Sequence, residues 1–232
     1  MKHIHLKTVD STNTYIRKYL TAREDVLVTA EEQTAGRGTK GRGFSSQSGG
    51  VYLSCLRFYR DFPATRYFSV MTDSAVAVCR TLESFGLQAE IKWPNDVFVQ
   101  GKKICGILIE NSFSGQNLSY SIVGIGLNVQ NDLPPDLADV ATTMRLAAGR
   151  TWNTDEVCRI LAENLAKTYS MQEYVSYIRF LGQAVRIVYP NGKEETVLPT
   201  GIGDTGELEL SDGRTLAAAE VSLRFFADMR KK

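Results

Sequence analysis

Between Thr34 and Gly50 the chain reads TAGRGTKGRGFSSQSGG, which sets Gly36, Gly38, Gly41, Gly43, Gly49 and Gly50 around three cations, Arg37, Lys40 and Arg42. Each glycine costs a helix about 1 kcal/mol and frees the backbone, so the stretch is predicted to be a mobile, positively charged loop without internal structure. The chemistry open to it is anion binding: backbone N–H groups unshielded by side chains approach a phosphate or carboxylate closely, and the cations add charge. The bland alternative is a solvated basic loop. Gly36, Gly38 and Gly41 spell G-x-G-x-x-G literally. That dinucleotide fingerprint needs a helix directly after the glycines, whereas FSSQSGG leads into a strand. A Walker A loop fails because Arg42 and Gly43 follow Gly41, and a kinase glycine loop fails because Gly43 stands where valine is required.

The elements that must hold this loop are legible on either side. HIHLKTV reads as a strand and is followed by Asp10, Ser11, Thr12 and Asn13, then by Tyr15, Ile16, Tyr19 and Leu20 at helical spacing. Those polar residues either cap the helix or donate to a ligand held at its start. VLVTAE (26–31) and VYLSCLRF (51–58) are strands that the loop joins, and Tyr67 to Phe85 forms a packing helix closed by Gly86. AEIKWPNDVFVQGKKICGILIE reads as three strands with tight turns, and LSYSIVGIGLNV as a further one. Turns this short join antiparallel neighbours, so the fold is predicted as α+β, a mixed or antiparallel sheet with helices packed on it. A short helix is expected at 141–148. A long one follows from a capping box at Asn153 and Glu156 to about Leu181.

After Gly182 the runs shorten to AVRIVY, ETVLPTGI, GELEL and TLAAAEV with turn residues between them, predicting a small five-stranded barrel. The chain is therefore divided into residues 1–181 and 182–228. The 232 residues suffice for a substantial core, and a net charge of +1 gives no global field for nucleic acid. Four scattered cysteines, Cys55, Cys79, Cys105 and Cys158, without a CxxC pair, suggest reduced thiols in a cytoplasmic protein. No apolar run approaches the roughly 18 residues that span a bilayer. His3 and His5, the two histidines, are read as surface residues and no protein metal cluster is expected.

Taken in order, Ser11-Thr12-Asn13, Gln33-Thr34-Ala35-Gly36-Arg37-Gly38 with Gly41-Arg42, Lys92-Trp93-Pro94-Asn95-Asp96, Lys103, Gly106-Ile107-Leu108 and Gly124-x-Gly126-x-Asn128 resemble biotin protein ligase. The resemblance extends over nearly the whole chain and implies a class II aminoacyl-tRNA-synthetase-like ligase fold with an SH3-like C-terminal barrel. With ten residues ahead of Ser11, the chain resembles the form lacking an N-terminal DNA-binding domain. The implied activity is activation of biotin by ATP, with Mg²⁺, to biotinyl-5′-AMP, then transfer to one lysine of a biotin carboxyl carrier protein. Lipoate or octanoate ligases and a non-catalytic biotin or nucleotide sensor are the alternatives, and a homodimer is possible through an edge strand.

By the same resemblance Ser11, Thr12, Asn13, Gln33, Gly36, Arg37, Gly38, Thr39, Lys103 and Gly106 border biotin. Arg42, Phe44, Asn95, Lys103 and Asn128 border ATP, with Asn95 and Asn128 placing the phosphates or the metal. Lys103 and Arg37 are the catalytic candidates. A carboxylate attacking a phosphate must approach negative charge, which fixed cations offset. Asp96 could orient a lysine or assist the metal, and Trp93 is read as core. Thr39 stands where the family commonly has a basic residue, with Lys40 as a possible compensation, and the loop is expected to close over the adenylate.

Overall fold

The computed structural model describes residues 1–218 and 221–224. Seven strands form one sheet: β1 (Lys2–Val9), β2 (Val26–Gln33), β3 (Val51–Phe58), β4 (Ala89–Lys92), β5 (Asp96–Val99), β6 (Lys102–Ser114) and β7 (Asn117–Leu127). Their order is β1-β2-β3-β7-β6-β5-β4. Only β1 and β2 run parallel, joined through α1 (Thr12–Ile16), so the sheet is mixed as the short turns predict.

Period-two alternation assigns each face. Leu53 and Cys55, Val123 and Ile125, and Cys105 and Ile107 point into the main core. That core is closed by α2 (Ser69–Ser84), α4 (Thr154–Leu165) and α5 (Met171–Ser176). The intervening residues face the opposite side. Near β1 they pack Val26, Val28, Leu56 and Ile122 against Ile16 of α1 in a second, smaller cluster. Beyond it, where Gly106, Gly124 and Gly126 lie, the sheet face is bare backbone.

Burial sets the thiols aside from nucleophilic work. Cys55, Cys79 and Cys105 are buried, which pushes each thiol up, and Cys158 is raised to about 11 by burial and by Asp155.

Three expectations are corrected. The helix expected to run from Asn153 to about Leu181 stops at Leu165 and restarts at Met171. Between them Asp73 of α2 accepts the Tyr169 N–H (2.7 Å). Ser170 and Glu173 then form the reciprocal capping box expected at Asn153, whose side chain accepts from Asp155 and Glu156. The helix expected at 141–148 is only its last part, α3 (Met144–Ala148), entered under Thr143.

After Gly182 the described residues hold six strands in place of five: β8 (Val185–Val188), β9 (Glu194–Val197), β10 (Pro199–Ile202), β11 (Leu208–Leu210), β12 (Thr215–Leu216) and β13 (Ser222–Arg224). They pair antiparallel as β10-β11-β12 and β13-β8-β9. The run ETVLPTGI divides before Pro199, and Pro199 opens β10, where a residue without an N–H is tolerated. Residues 219–220 of the last predicted run, and 225–228 of the predicted second region, lie outside the described residues. The two parts are joined by Trp93, which is buried and donates Nε1–H to the Gly206 carbonyl (2.9 Å), a core role as read from sequence. Among the described residues, no helix is long and apolar enough to cross a membrane.

Candidate functional site

On the sheet face opposite the main core lies a cleft of about 880 Å³. Its floor follows from three glycines. Gly106 of β6 pairs with Gly126 of β7, and Gly124, two residues back on the same face, lies opposite Ser54 of β3. A methyl group on Gly124 would overlap the amide oxygen of Asn13, and one on Gly126 would overlap the ring of Phe44. One on Gly106 would stand 3.2 Å from both Phe44 and the Lys103 ammonium. The glycines are thus what lets the side chains of Asn13, Phe44 and Lys103 lie flat on the sheet.

At one end of the cleft is a buried polar cluster. Ser11, Thr12 and Asn13 are nearly inaccessible. Ser11 occupies the N-cap position of α1 but makes no capping hydrogen bond from its side chain, so capping does not explain this polar run. Thr12 donates its N–H and its hydroxyl to Gln33 Oε1 (2.9 and 3.0 Å). Gln33 in turn donates to Ser46 (2.8 Å), and Ser46 to the Phe44 carbonyl (3.1 Å). Ser54, wholly buried, reaches both Asn13 Oδ1 (2.5 Å) and Thr12 Oγ1 (2.8 Å). Asn13 Nδ2 donates to Glu110 (3.0 Å).

The glycine segment is not formless, and here the sequence expectation is corrected. It is a folded hairpin that extends the β2–β3 connection: Gln33 pairs with Ser46 and Arg37 with Gly43. The tip turns at Lys40 (φ 57°) and Gly41 (φ 72°), consecutive left-handed residues. Phe44 N–H donates to Gly36 O (2.9 Å) and Gly38 N–H to Arg42 O (2.7 Å). Arg37, Gly38, Thr39, Arg42 and Phe44 line the cleft. Gly36 does not; it is bare because a methyl there would strike the Phe44 carbonyl and Ser46. Lys40 is absent from the cleft lining as well. It donates to the Val221 carbonyl beside β13 (2.9 Å), and burial, with Arg42 nearby, lowers its pKa. Arg42 folds back on Thr39, donating to its carbonyl (3.3 Å) and hydroxyl (3.1 Å).

At the other end stands Lys103, its ammonium 2.7 Å from Asp96. A bulge puts it there. In the β5–β6 pairing Phe98 opposes Lys103 while Val97 opposes Cys105, so Ile104 is an extra residue. Strict alternation would set Lys103 on the core face with Cys105; the inserted residue turns it to the face of Gly106. Asn95 and Asn128 also line the cleft, yet their amides serve the framework. Asn95 Nδ2 donates to the Ile107 carbonyl (2.9 Å), and Ile107 N–H donates back to Asn95 O (2.9 Å). Asn128 donates to Thr142 O (3.1 Å) and accepts from Asn131 (3.2 Å), which holds the 141–143 segment against the cleft.

Sequence reasoning missed five contributors. Glu110 and Ser54 share the glycine face at period-two spacing, a signal present in ICGILIE and VYLSCL. Leu137 and Val140 line the cleft from the segment between β7 and α3, and Leu223 reaches it from β13. A surface of this kind, polar at one end, bare in the middle and cationic at the other, can bind an elongated molecule with a hydrogen-bonding head and an anionic tail.

Residues 6–128 match the family model described as the biotin/lipoate A/B protein ligase family. Over 133 residues, 55% of this chain and 41% of the relative, the sequence is 42% identical to the bifunctional ligase/repressor BirA of Bacillus subtilis. It is 29% identical over 241 residues to the biotin--[acetyl-CoA-carboxylase] ligase of Paracoccus denitrificans, covering 93% of this chain and 98% of that protein. The match thus spans about two-fifths of the Bacillus relative. The solved structure of biotin protein ligase from Aquifex aeolicus in complex with biotin and ATP superposes with a TM-score of 0.74 at 29% identity, covering 97% of this chain and 99% of that one.

Proposed function

Because the chain belongs to the biotin/lipoate A/B protein ligase family, we propose that it is a biotin protein ligase, acting in the cytoplasm on a biotin carboxyl carrier protein. The observation that carries the reading is the glycine floor running between a buried donor–acceptor cluster and Lys103. A neutral ureido head matches the cluster of Ser11, Thr12, Asn13 and Gln33, because buried polar atoms left without partners cost about 1 to 3 kcal/mol each. With no side chains of their own at Gly124, Gly126 and Gly106, the strands leave a cleft between Asn13, Phe44 and Lys103 that suits the ring and chain of biotin, and the cations suit its carboxylate. We assign catalysis to residues 1–181 and treat 182–228 as an appended domain.

In the first step a biotin carboxylate oxygen attacks the α-phosphorus of ATP, and pyrophosphate leaves. Lys103 stabilises the charge shared between carboxylate and phosphate, while Asp96 holds its ammonium in place. Arg37 and Gly38 lie toward biotin and Arg42 toward the phosphates, with Phe44 packed across the floor where it can meet the adenine. In the second step a carrier lysine attacks the acyl carbon, AMP leaves and an amide forms.

The donors in the cleft fit magnesium through substrate phosphate and not through a protein cage. Asp96, Asp139, Asn95 and Asn128 line the cleft, and no group of three His, Cys, Asp or Glu able to hold an ion exists among the described residues. Bound with the nucleotide, the ion would neutralise phosphate charge.

The test is transfer of biotin to a purified carrier domain with ATP and Mg²⁺. Pyrophosphate exchange driven by biotin, and not by lipoate or octanoate, is the expected result; exchange driven by lipoate alone would overturn the assignment.

A further prediction concerns Thr39. Thr39→Arg adds a cation at the hairpin tip while leaving Arg42 its bond to the residue 39 carbonyl. Release of biotinyl-5′-AMP is expected to slow, measured by stopped-flow fluorescence, and equal rates in the two proteins would refute it.

A further inference from the structure

Glu110 lies on β6, four residues beyond Gly106 on the same face, and the reaction just described gives it no part. Its side chain, 24% exposed, brings together three groups. Oε2 accepts from Asn13 Nδ2 (3.0 Å), Oε1 accepts from Arg17 (2.7 Å), and the Arg37 guanidinium lies 3.9 Å from Oε1. We propose that Glu110 is a positioning residue: its carboxylate fixes the Asn13 amide and thereby sets the donor and acceptor pattern that the buried end of the cleft presents to biotin. The proposal rests on the biotin ligase reading.

The argument is one of hydrogen-bond polarity. A carboxylate only accepts, so of the two ends of the Asn13 amide only the NH₂ can face Glu110. The amide oxygen is then forced toward Ser54, whose hydroxyl lies 2.5 Å away and spends its single proton there. With that proton spent on Asn13, the 2.8 Å contact between Ser54 and Thr12 leaves the Thr12 hydroxyl as the donor, to Ser54 or to Gln33 Oε1 at 3.0 Å. That oxygen already takes the Thr12 N–H, so the Gln33 NH₂ must face Ser46, and the Ser46 proton goes to the Phe44 carbonyl. The acceptor-only carboxylate thus orders Asn13 and Ser54, while the Thr12 backbone N–H fixes the Gln33 amide and, through it, Ser46.

Without it the Asn13 amide could rotate by half a turn and present NH₂ to Ser54. The Ser54 proton would then turn to Thr12, and the donor and acceptor pattern at Asn13 and Ser54 would invert. Such rotation is not prevented by packing, because the two ends of a carboxamide have nearly the same shape.

The experiment is calorimetric titration of biotin, without ATP, into wild type, Glu110→Gln, Asn13→Ala, the double variant and Arg17→Ala. Urea midpoints establish that each is folded. Glu110→Gln is expected to weaken binding by about tenfold or more, since buried polar groups lose their fixed partners. If Glu110 acts through Asn13, the double variant binds within about twofold of Asn13→Ala, because residues acting as one unit are not additive. Arg17→Ala is expected within about twofold of wild type, which separates amide orientation from the exposed ion pair. Should Glu110→Gln not fold, Glu110→Asp withdraws the carboxylate by one methylene and is read in the same cycle.

A Glu110 variant within twofold of wild type, a double variant whose loss is the product of the single losses, or an Arg17→Ala protein as weak as Glu110→Gln would overturn the proposal while leaving the ligase reading intact. Failure of the wild type itself to bind biotin would remove that reading, and the proposal with it.

Discussion

Replacing Lys103 with alanine is expected to lower biotin-dependent pyrophosphate exchange by about a hundredfold or more, the loss typical when a fixed donor to developing charge is removed. The geometry makes the expectation specific. Lys103 reaches the cleft only through the bulge at Ile104, and its ammonium is held at 2.7 Å by Asp96 and 3.2 Å from where a side chain on Gly106 would begin. A lysine that merely solvated a turn would not be aimed across a glycine floor. The decisive measurement separates the steps: exchange reports adenylation, while biotin binding without ATP reports the ground state. Exchange falling with binding changed only a few-fold supports transition-state stabilisation. A loss of exchange well below a hundredfold would return Lys103 to the surface, and Asp96→Asn should then also be silent.

Gly124→Ala is the second large effect. The added methyl overlaps the amide oxygen of Asn13, and Asn13 cannot retreat because Ser54 holds one end of the amide and Glu110 the other. Overpacking of this kind costs about 1 to 3 kcal/mol of stability, and displacement of Asn13 breaks the cluster that meets the ureido group. Biotin affinity is expected to fall by about tenfold or more, by calorimetry, with a lowered urea midpoint. Gly126→Ala is the informative comparison. There the methyl meets the outer edge of the Phe44 ring on the hairpin, so the ring can swing aside and the midpoint should move less. Equal midpoint shifts in the two variants would show that Asn13 is not pinned.

The contrast between these residues separates what was legible in the chain from what was not. VYLSCLRF, ICGILIE and SIVGIGL read as strands, and short turns made them neighbours, so the mixed sheet followed. The apolar stripe of α2 and the shortening of runs after Gly182 were equally plain, because burial at fixed spacing is a local property of sequence. The motif residues Ser11 to Asn13, Gln33, Arg37 and Lys103 were identified by type and order, and the fold brings them to one cleft.

Other features depended on contacts between segments far apart in the chain. The glycine segment looked formless because glycine carries no propensity, yet hydrogen bonds between Gln33, Gly36 and Gly38 and residues 42–46 fold it into a hairpin. Lys40 precedes Gly41 and Lys103 lies two residues after Gly101, and neither composition nor spacing tells that one turns to Val221 and the other into the cleft. Gly36 and Gly106 read alike, but one clears room for the hairpin's own backbone and the other for the cleft. The sequence by itself determined the faces of the sheet and the family of residues gathered on one of them. The direction in which each charge points, and the polarity of the buried chain from Glu110 to Phe44, were decided by the tertiary structure, because a hydrogen bond is specified by its partner and those partners are up to 97 residues apart.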